Sequence, residues 1–283
     1  MSVYLRVAGR TDTGRVRSNN EDAFVATDLS NGVGSSPPRW EGRLDVGSGG
    51  ALVAVSDGMG GEAAGEVASA LVLSALAQGL ASSRPPLASE AKIASAVQDA
   101  NRSVWAEACA RGIEMGATLT AAFFRGNAAY VAEIGDSRAY LLRDGGMTQL
   151  TKDQSYVQML VDRGTVTPEE AQGLPFRNVI LQAVGHGGRL QVALGRLDLR
   201  RRDCLLLCSD GLTNELSDRE IRDVVLTAQD LPVAADLLVD LANSRGGHDN
   251  ETAVLVGVGG DLPPPSRQEP VEQTYRILDT FDA

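Results

Sequence analysis

Helical periodicity comes in two back-to-back pairs in this sequence, each pair set between runs of strand-like residues, and that order limits the folds open to it. In 62–82, Ala64, Val67, Ala68, Leu71, Val72, Ala75 and Leu76 recur at three- and four-residue spacings and form one apolar stripe. A second helix is predicted from about 88 to 111, with Ile93, Val97, Ala100 and Val104 on one side. The intervening SSRPP is short, which favours an antiparallel pair. Strand-like runs at 3–8, 22–27 and 51–56 precede this pair, and runs at 117–125, 128–134 and 137–143 follow it. The turns RGN, GDS and RDGG between the later runs suit an antiparallel meander. Strands at 190–197 and 203–208 then lead to helices near 217–228 and 231–244, and to a last strand at 252–258. This grouping is not the βαβα alternation of a doubly wound fold. It predicts an α+β architecture of two antiparallel sheets packed face to face, with helices on the outer faces.

Three segments fall outside the regular pattern. Residues 28–50 are rich in Gly, Ser and Pro and read as a mobile surface loop between strands. Residues 153–189 read as short helices and loops, with Pro168, Pro175 and several glycines. After Gly259 the run DLPPPSRQEPVEQ cannot continue a sheet, so 259–283 reads as a flexible tail with a short helix around 272–279.

Composition removes several functions. With 283 residues and 43% apolar content the chain can bury a sizeable core and is not disordered. The 26 Lys and Arg against 37 Asp and Glu leave a net charge of −11, which argues against nucleic acid and anionic membrane surfaces. No apolar run approaches the roughly 18 residues of a membrane span, and no signal-peptide core is recognisable, so a cytoplasmic protein without membrane insertion is expected. Lys92 and Lys152 are the only lysines, and neither sits in a Walker motif. Cys109, Cys204 and Cys208 are read as free thiols, with Cys204 and Cys208 on one face of a strand as small buried hydrophobes.

The chemistry lies in where aspartates fall. ALVAVS ends in Asp57-Gly58, LLLCS in Asp210-Gly211 and AAYVAEIG in Asp136-Ser137, while Asp249-Asn250 stands just before TAVLVGV. One Asp-Gly is a turn by default. Two apolar runs ending in the same Ser-Asp-Gly, with two further strand-end aspartates, suggest carboxylates converging on one volume. Like charges 4 Å apart repel by about 1 kcal/mol in water and about 4 kcal/mol at an effective dielectric of 20. Such a cluster needs cations or must protonate. Oxygen ligands without Cys or His favour Mg²⁺ or Mn²⁺. Arg17 in RSNNED, beside Glu21 and Asp22, offers a guanidinium that could clamp a phosphate. The Gly58-Met59-Gly60-Gly61 loop is read as a tight metal loop in which Gly58 offers its carbonyl.

Taken together and in order, RSNNED at 17–22, SDGMGG at 56–61, GDSR at 135–138, SDGLTN at 209–214 and HDNET at 248–252 resemble the metal-dependent serine/threonine protein phosphatases of the 2C type. TKDQS at 151–155 and its sequel to about 189 resemble the flap subdomain of bacterial members. The resemblance implies a four-layer α-β-β-α sandwich over 1–258, with a flap at about 153–189, a variable loop at 28–50 and a tail at 259–283. It implies two Mn²⁺ or Mg²⁺ ions, with Asp57 bridging both, the Gly58 carbonyl on one, and Asp210 and Asp249 on the other. Glu21 and Asp22 would hold metal-bound waters, Arg17 would bind the substrate phosphate, and Asp136 would help bind a third, weaker metal. A metal-bridged water or hydroxide would attack phosphoserine or phosphothreonine directly. Substrates would be phosphoproteins marked by a serine/threonine kinase of the eukaryotic-like type.

Departures from the pattern are specific. Met59 stands where eukaryotic members carry a histidine, and a thioether cannot donate a proton. His248 and His186 are read as structural rather than as its replacement. Asn214 replaces an acid that supports the third metal in many members. Arg138 is read as a salt-bridge partner holding Asp136. Two other classes remain open: a phosphoprotein-binding pseudo-phosphatase using the same cleft, and a hydrolase with Asp57 as nucleophile. The second lacks the usual DxD, since Asp57-Gly58-Met59 has no second Asp.

Overall fold

A computed structural model describes residues 2–30, 37–60, 64–82, 89–266 and 269–282. In chain order the elements are β1 (Val3–Asp12), β2 (Asp22–Asp28), β3 (Arg39–Asp45), β4 (Ala51–Met59), α1 (Ala64–Ala81), α2 (Ser89–Arg111), β5 (Gly116–Ala117) and β6 (Leu119–Arg125). They continue with β7 (Ala128–Ile134), β8 (Arg138–Arg143), β9 (Gly146–Gln149), α3 (Tyr156–Asp162), α4 (Pro168–Gln172), β10 (Ala193–Asp198) and β11 (Cys204–Cys208). The last are α5 (Asp210–Glu215), α6 (Asp218–Thr227), α7 (Leu231–Arg245), β12 (Glu251–Gly260) and β13 (Tyr275–Asp279).

Two sheets form, one in the order β3-β1-β12-β11-β8-β9 and the other β13-β10-β7-β6-β4-β2, with β5 appended to β4. Their ladders are antiparallel. Side-chain alternation in the strands makes the layers. In β4, Val53 and Val55 face the second sheet, while Leu52 and Ala54 face α1 and α2. In β11, Leu205 and Leu207 point inward, while Leu206 and Cys208 pack on α5, α6 and α7. Strands buried on both faces therefore read as near-continuous apolar runs. The result is the expected sandwich: a helix pair, two sheets and a second helical layer.

The α1–α2 pair packs tightly because its contact is built from small residues. A Cβ on Gly79 would lie 2.9 Å from the Cβ of Ala96. Burial of α1 runs through Ala68, Val72, Leu73, Leu76 and Leu80, while Val67, Leu71 and Ala75 are only partly covered. Against the sequence expectation, α1 is long and apolar enough to cross a membrane by length and composition, with a mean hydropathy of 1.4. It is apolar because it packs against both the sheet and α2.

Two further expectations are corrected. The 28–50 segment is not all loop: β3 pairs with β1 from Tyr4↔Asp45 to Arg10↔Arg39, while 31–36 lie outside the described residues. An edge strand such as RWEGRLD buries little beyond Leu44 and so shows no apolar alternation. The tail is not free, and the expected helix at 272–279 is only a 3₁₀ turn over Val271–Gln273. Tyr275–Asp279 adds to β10 as the outer strand of its sheet. The prolines end β12 as expected, but the chain is then captured by buried Arg143. Its guanidinium donates to both Asp203 carboxylate oxygens at 2.7 Å and to Thr274 Oγ1 at 2.6 Å. Arg200 also holds Glu269 at 2.9 Å. The 153–189 segment carries only the short α3 and α4, each begun by a side-chain cap, Ser155 and Thr167.

Candidate metal centre

Four strand ends meet at one end of the sandwich. Asp22 opens β2 and Asp57 nears the end of β4, and the two are register partners. Asp210 follows β11 as the first residue of α5, and Asp249 precedes β12. Asp136 sits in the tight turn between β7 and β8, after Gly135 at φ +100°. The first two come from one sheet and the next two from the other.

Hydrogen bonds fix this convergence. Ser209 Oγ and Thr252 Oγ1 each donate to Asp22 Oδ2 at 2.6 Å, joining β11 and β12 to β2. Asn250 Nδ2 donates to the carbonyls of Thr13 and Asn19 at 2.9 Å, and its Oδ1 accepts from Glu21 N at 2.8 Å. The Asp57 amide donates to Thr118 Oγ1 at 2.9 Å, and Thr118 N returns a bond to the Asp57 carbonyl at 2.8 Å. Thr118 Oγ1 also meets Ser137 Oγ at 2.8 Å, linking the Asp57 and Asp136 turns. Of Asn250, Thr118, Ser209 and Thr252, only Ser209 and Asn250 stand beside a strand-end aspartate in the sequence, while Thr118 and Thr252 carry no such mark.

The glycines after the aspartates serve close approach rather than a left-handed turn. A Cβ on Gly58 would lie 2.0 Å from the Gly65 carbonyl oxygen, and one on Gly211 2.1 Å from the Asn250 carbonyl oxygen. Neither is among the glycines with positive φ. The repeated Ser-Asp-Gly is thus a packing requirement where backbone meets backbone.

A cleft of about 520 Å³ opens over these residues, lined by Arg17, Glu21, Asp57, Gly58, Met59, Asp136, Asp210, Asp249 and Asn250 among others, and by Asn178 and Ile180 of the 153–189 segment. Asp22 lies behind it, buried. Burial, outweighing its two hydroxyl donors, pushes the Asp22 carboxyl from 3.8 up to about 7, with the Asp210 and Asp249 charges adding to the rise. Asp57 is raised well above the carboxylate range, first by burial and then by Asp22, Asp210, Asp136 and Asp249. Burial also raises Asp136 and Asp210. The Asp57 and Asp210 carboxyls interact closely enough that each shifts the other.

Among the described residues no three acidic, histidine or cysteine side chains are already gathered around a point that an ion could fill. Arg17 donates to Asp249 Oδ2 at 2.7 Å, and Asn214 donates to Asp210 Oδ2 at 3.0 Å. The residues nevertheless fit hard divalent cations. The cleft lining offers carboxylate, amide and hydroxyl oxygens and neither His nor Cys, and Asp22 Oδ1 behind it is buried without a partner. The excess of acids is balanced in the cleft lining by one cation, Arg17.

Other expectations divide. Arg138 does not hold Asp136; it forms a bidentate pair with Asp153, with Nη2 2.7 Å from Oδ2. The Asp153 carboxylate is the nearer planar partner, at the start of the 153–189 segment. His248 is exposed and bonded to Glu215 at 2.6 Å, and His186 packs near Gly116. Met59 lines the cleft. Cys208 is buried and Cys204 half-buried against the α7 layer, and burial pushes each thiol up to about 12.

Comparison with known proteins matches this geometry. A sequence model of protein phosphatase 2C matches residues 41–240. The chain is 42% identical over 260 residues to the serine/threonine protein phosphatase PstP of Mycobacterium tuberculosis, covering 91% of this chain and 46% of that protein. It therefore spans less than half the length of that relative. It is 35% identical over 252 residues to the serine/threonine phosphatase stp of Listeria welshimeri, covering 87% and 93% of the two chains. The crystal structure of PstP from M. tuberculosis superposes with a TM-score of 0.76 at 40% identity, over 91% of this chain and all of that one. A structure of the PstP catalytic domain in complex with two manganese ions superposes at 0.74 and 39% identity, again over 91% of this chain and all of that one. With strand-end aspartates of both sheets facing one cleft, and with these likenesses running through nearly its whole length, the chain belongs to the protein phosphatase 2C family.

Proposed function

We propose that the chain is a Mn²⁺- or Mg²⁺-dependent protein serine/threonine phosphatase. The observation that carries this reading is the meeting of Asp57, Asp136, Asp210 and Asp249 in one cleft where, among the described residues, Arg17 is the one lining cation. Asp57 and the Gly58 carbonyl, with Asp210 and Asp249, are the residues to hold two ions. Glu21 and Asp22 steady the water around them. When bound, the ions acidify a water and offset the charge of a phosphate. Asp136 contributes to a third, weaker site; Asn214 beside Asp210 adds a neutral amide there rather than a charge.

Arg17 is half exposed at the cleft mouth and reaches over Asp249. Its planar donors suit two oxygens of a phosphate monoester. Met59 donates no proton, so the proton for the leaving serine or threonine oxygen must come from a metal-bound water or another group. Phosphoserine and phosphothreonine proteins modified by a eukaryotic-like kinase are the substrates this reading selects, acting in cytoplasmic signalling. The free thiols agree with a reducing compartment.

The test is hydrolysis of a phosphothreonine peptide with Mn²⁺ and with EDTA, for wild type and Asp57→Asn. Turnover that requires Mn²⁺ and is lost in the variant is expected. A folded wild type that binds the peptide without turnover would turn the reading to a binding module.

A further inference from the structure

A second cavity, of about 200 Å³, lies between the 153–189 segment and the C-terminal strand. It shares no lining residue with the metal cleft. Met159 and Leu181 form one side, and Leu194, Tyr275 and Ile277 the other. Glu133 of β7 also lines it and is 3% exposed. Its Oε2 accepts from the Lys152 amide at 3.0 Å, and its Oε1 has no partner. A buried carboxyl oxygen left unmatched is costly, and a donor arriving beside that carboxylate would relieve it.

The charge of the lining defines that donor. Five carboxylates, of Glu133, Asp153, Asp162, Asp279 and Asp282, face one lysine. Asp153 is committed to Arg138, and Lys152 to Asp162 at 2.7 Å. Glu133, Asp279 and Asp282 are left without an ion pair among the described residues. Burial holds the Glu133 carboxyl well above the usual range, and a cation beside it would favour its charged form. The volume is below the roughly 300–1,000 Å³ of drug-sized sites, so the occupant is the size of one ring with a short arm.

We propose that this cavity binds a small organic cation, an ammonium or amidinium on a compact apolar body, with the cation beside the Glu133 carboxylate and the body between Met159, Leu194 and Tyr275. The site is wired to the metal cleft through Gln154, which also lines it. Gln154 Nε2 donates to the Glu133 carbonyl at 3.2 Å, and Gln154 Oε1 accepts from Gly135 N at 2.9 Å. Gln154 N donates back to the Gly135 carbonyl at 2.8 Å. The next residue is Asp136. A cation on Glu133 therefore presses on the turn that presents Asp136 to the cleft.

The experiment titrates the whole chain with 2-phenylethylamine and, as neutral isostere, 2-phenylethanol, reading heat and backbone amide shifts. The amine is expected to bind and to shift the Gly135 and Asp136 amides. The alcohol, and the amine on Glu133→Gln, are expected to bind about tenfold more weakly or worse. Amine and alcohol binding alike, an unchanged affinity in Glu133→Gln, or no amine binding at all overturns the proposal. Should Glu133→Gln not fold, the exposed pair Asp279→Asn with Asp282→Asn decides. A twofold to threefold loss of amine affinity is expected from removing their attraction, estimated as about 0.5 kcal/mol at a solvated rim. No change there overturns it.

Discussion

Gly58 and Gly211 show how finely the site depends on single atoms. Adding one methyl to either forces a carbonyl oxygen to move from about 2 Å. Gly58→Ala and Gly211→Ala are expected to cost roughly 1–3 kcal/mol or more each by overpacking, and to weaken Mn²⁺ binding. Gly145→Ala is the control: it has φ +79° but open space around it, so about 1 kcal/mol of backbone strain is expected without a metal effect. Urea unfolding and Mn²⁺ titration distinguish the three. Asp22→Asn makes a second residue-scale prediction. The amide oxygen can still accept from Ser209 and Thr252, but a buried acid is gone. The metal-free variant is expected to melt about 2–4 °C higher at pH 8, the shift of roughly 1 kcal/mol in a domain of this size, while binding Mn²⁺ more weakly. The aspartates were legible because each stood at the end or the start of an apolar run. Asn250 was not, because an amide that ties together three loop segments leaves the same sequence trace as one that faces water. Arg138 was legible as an ion-pair former but not in its partner, since Asp153 and Asp136 stand equally well on its neighbouring turns.

Elements differ in how much of themselves they carry locally. The helices α1, α2, α6 and α7 follow their periodicity to within about two residues, because each buries its own stripe. Strands β4, β6, β7, β11 and β12 announce themselves as apolar runs covered on both faces. The edge strands β3 and β13 do not, because their pairing is decided by the neighbour they meet. For β13 that neighbour is reached through Arg143, whose side chain and that of Asp203 are 4% and 0% exposed. Arg143→Ala strips the buried carboxylate of its partner and is expected to cost about 3–5 kcal/mol in urea unfolding. The same variant should loosen 269–282, seen as faster amide exchange in β13 than in β10. Equal exchange in the two strands would remove Arg143 as the anchor of that segment.

At the scale of the molecule, the acids at the cleft set how stability responds to pH and metal. Asp22 is raised from 3.8 to about 7, so between those values the folded state holds a proton that the unfolded chain has lost. Stability of the metal-free protein therefore falls as pH rises through that window, and Asp57, Asp136 and Asp210, shifted the same way, deepen the fall. Melting with EDTA from pH 4 to 8 is expected to show the decline, and saturating Mn²⁺ to remove most of it. Each ion at 100 times its dissociation constant adds about 2.7 kcal/mol. The overall sandwich was legible because grouped strands and grouped helices leave few layered arrangements, whereas the balance of charge in one cleft is a property of three dimensions. Asp22 and Asp57 belong to one sheet, and Ser209, Asp210 and Asp249 stand at strand ends of the other. On the proposed reading, ions shared among them would clasp the seam between two halves. Metal supply would then govern longevity as well as activity: a shortage of divalent ions would not merely idle the protein but hand it to proteases.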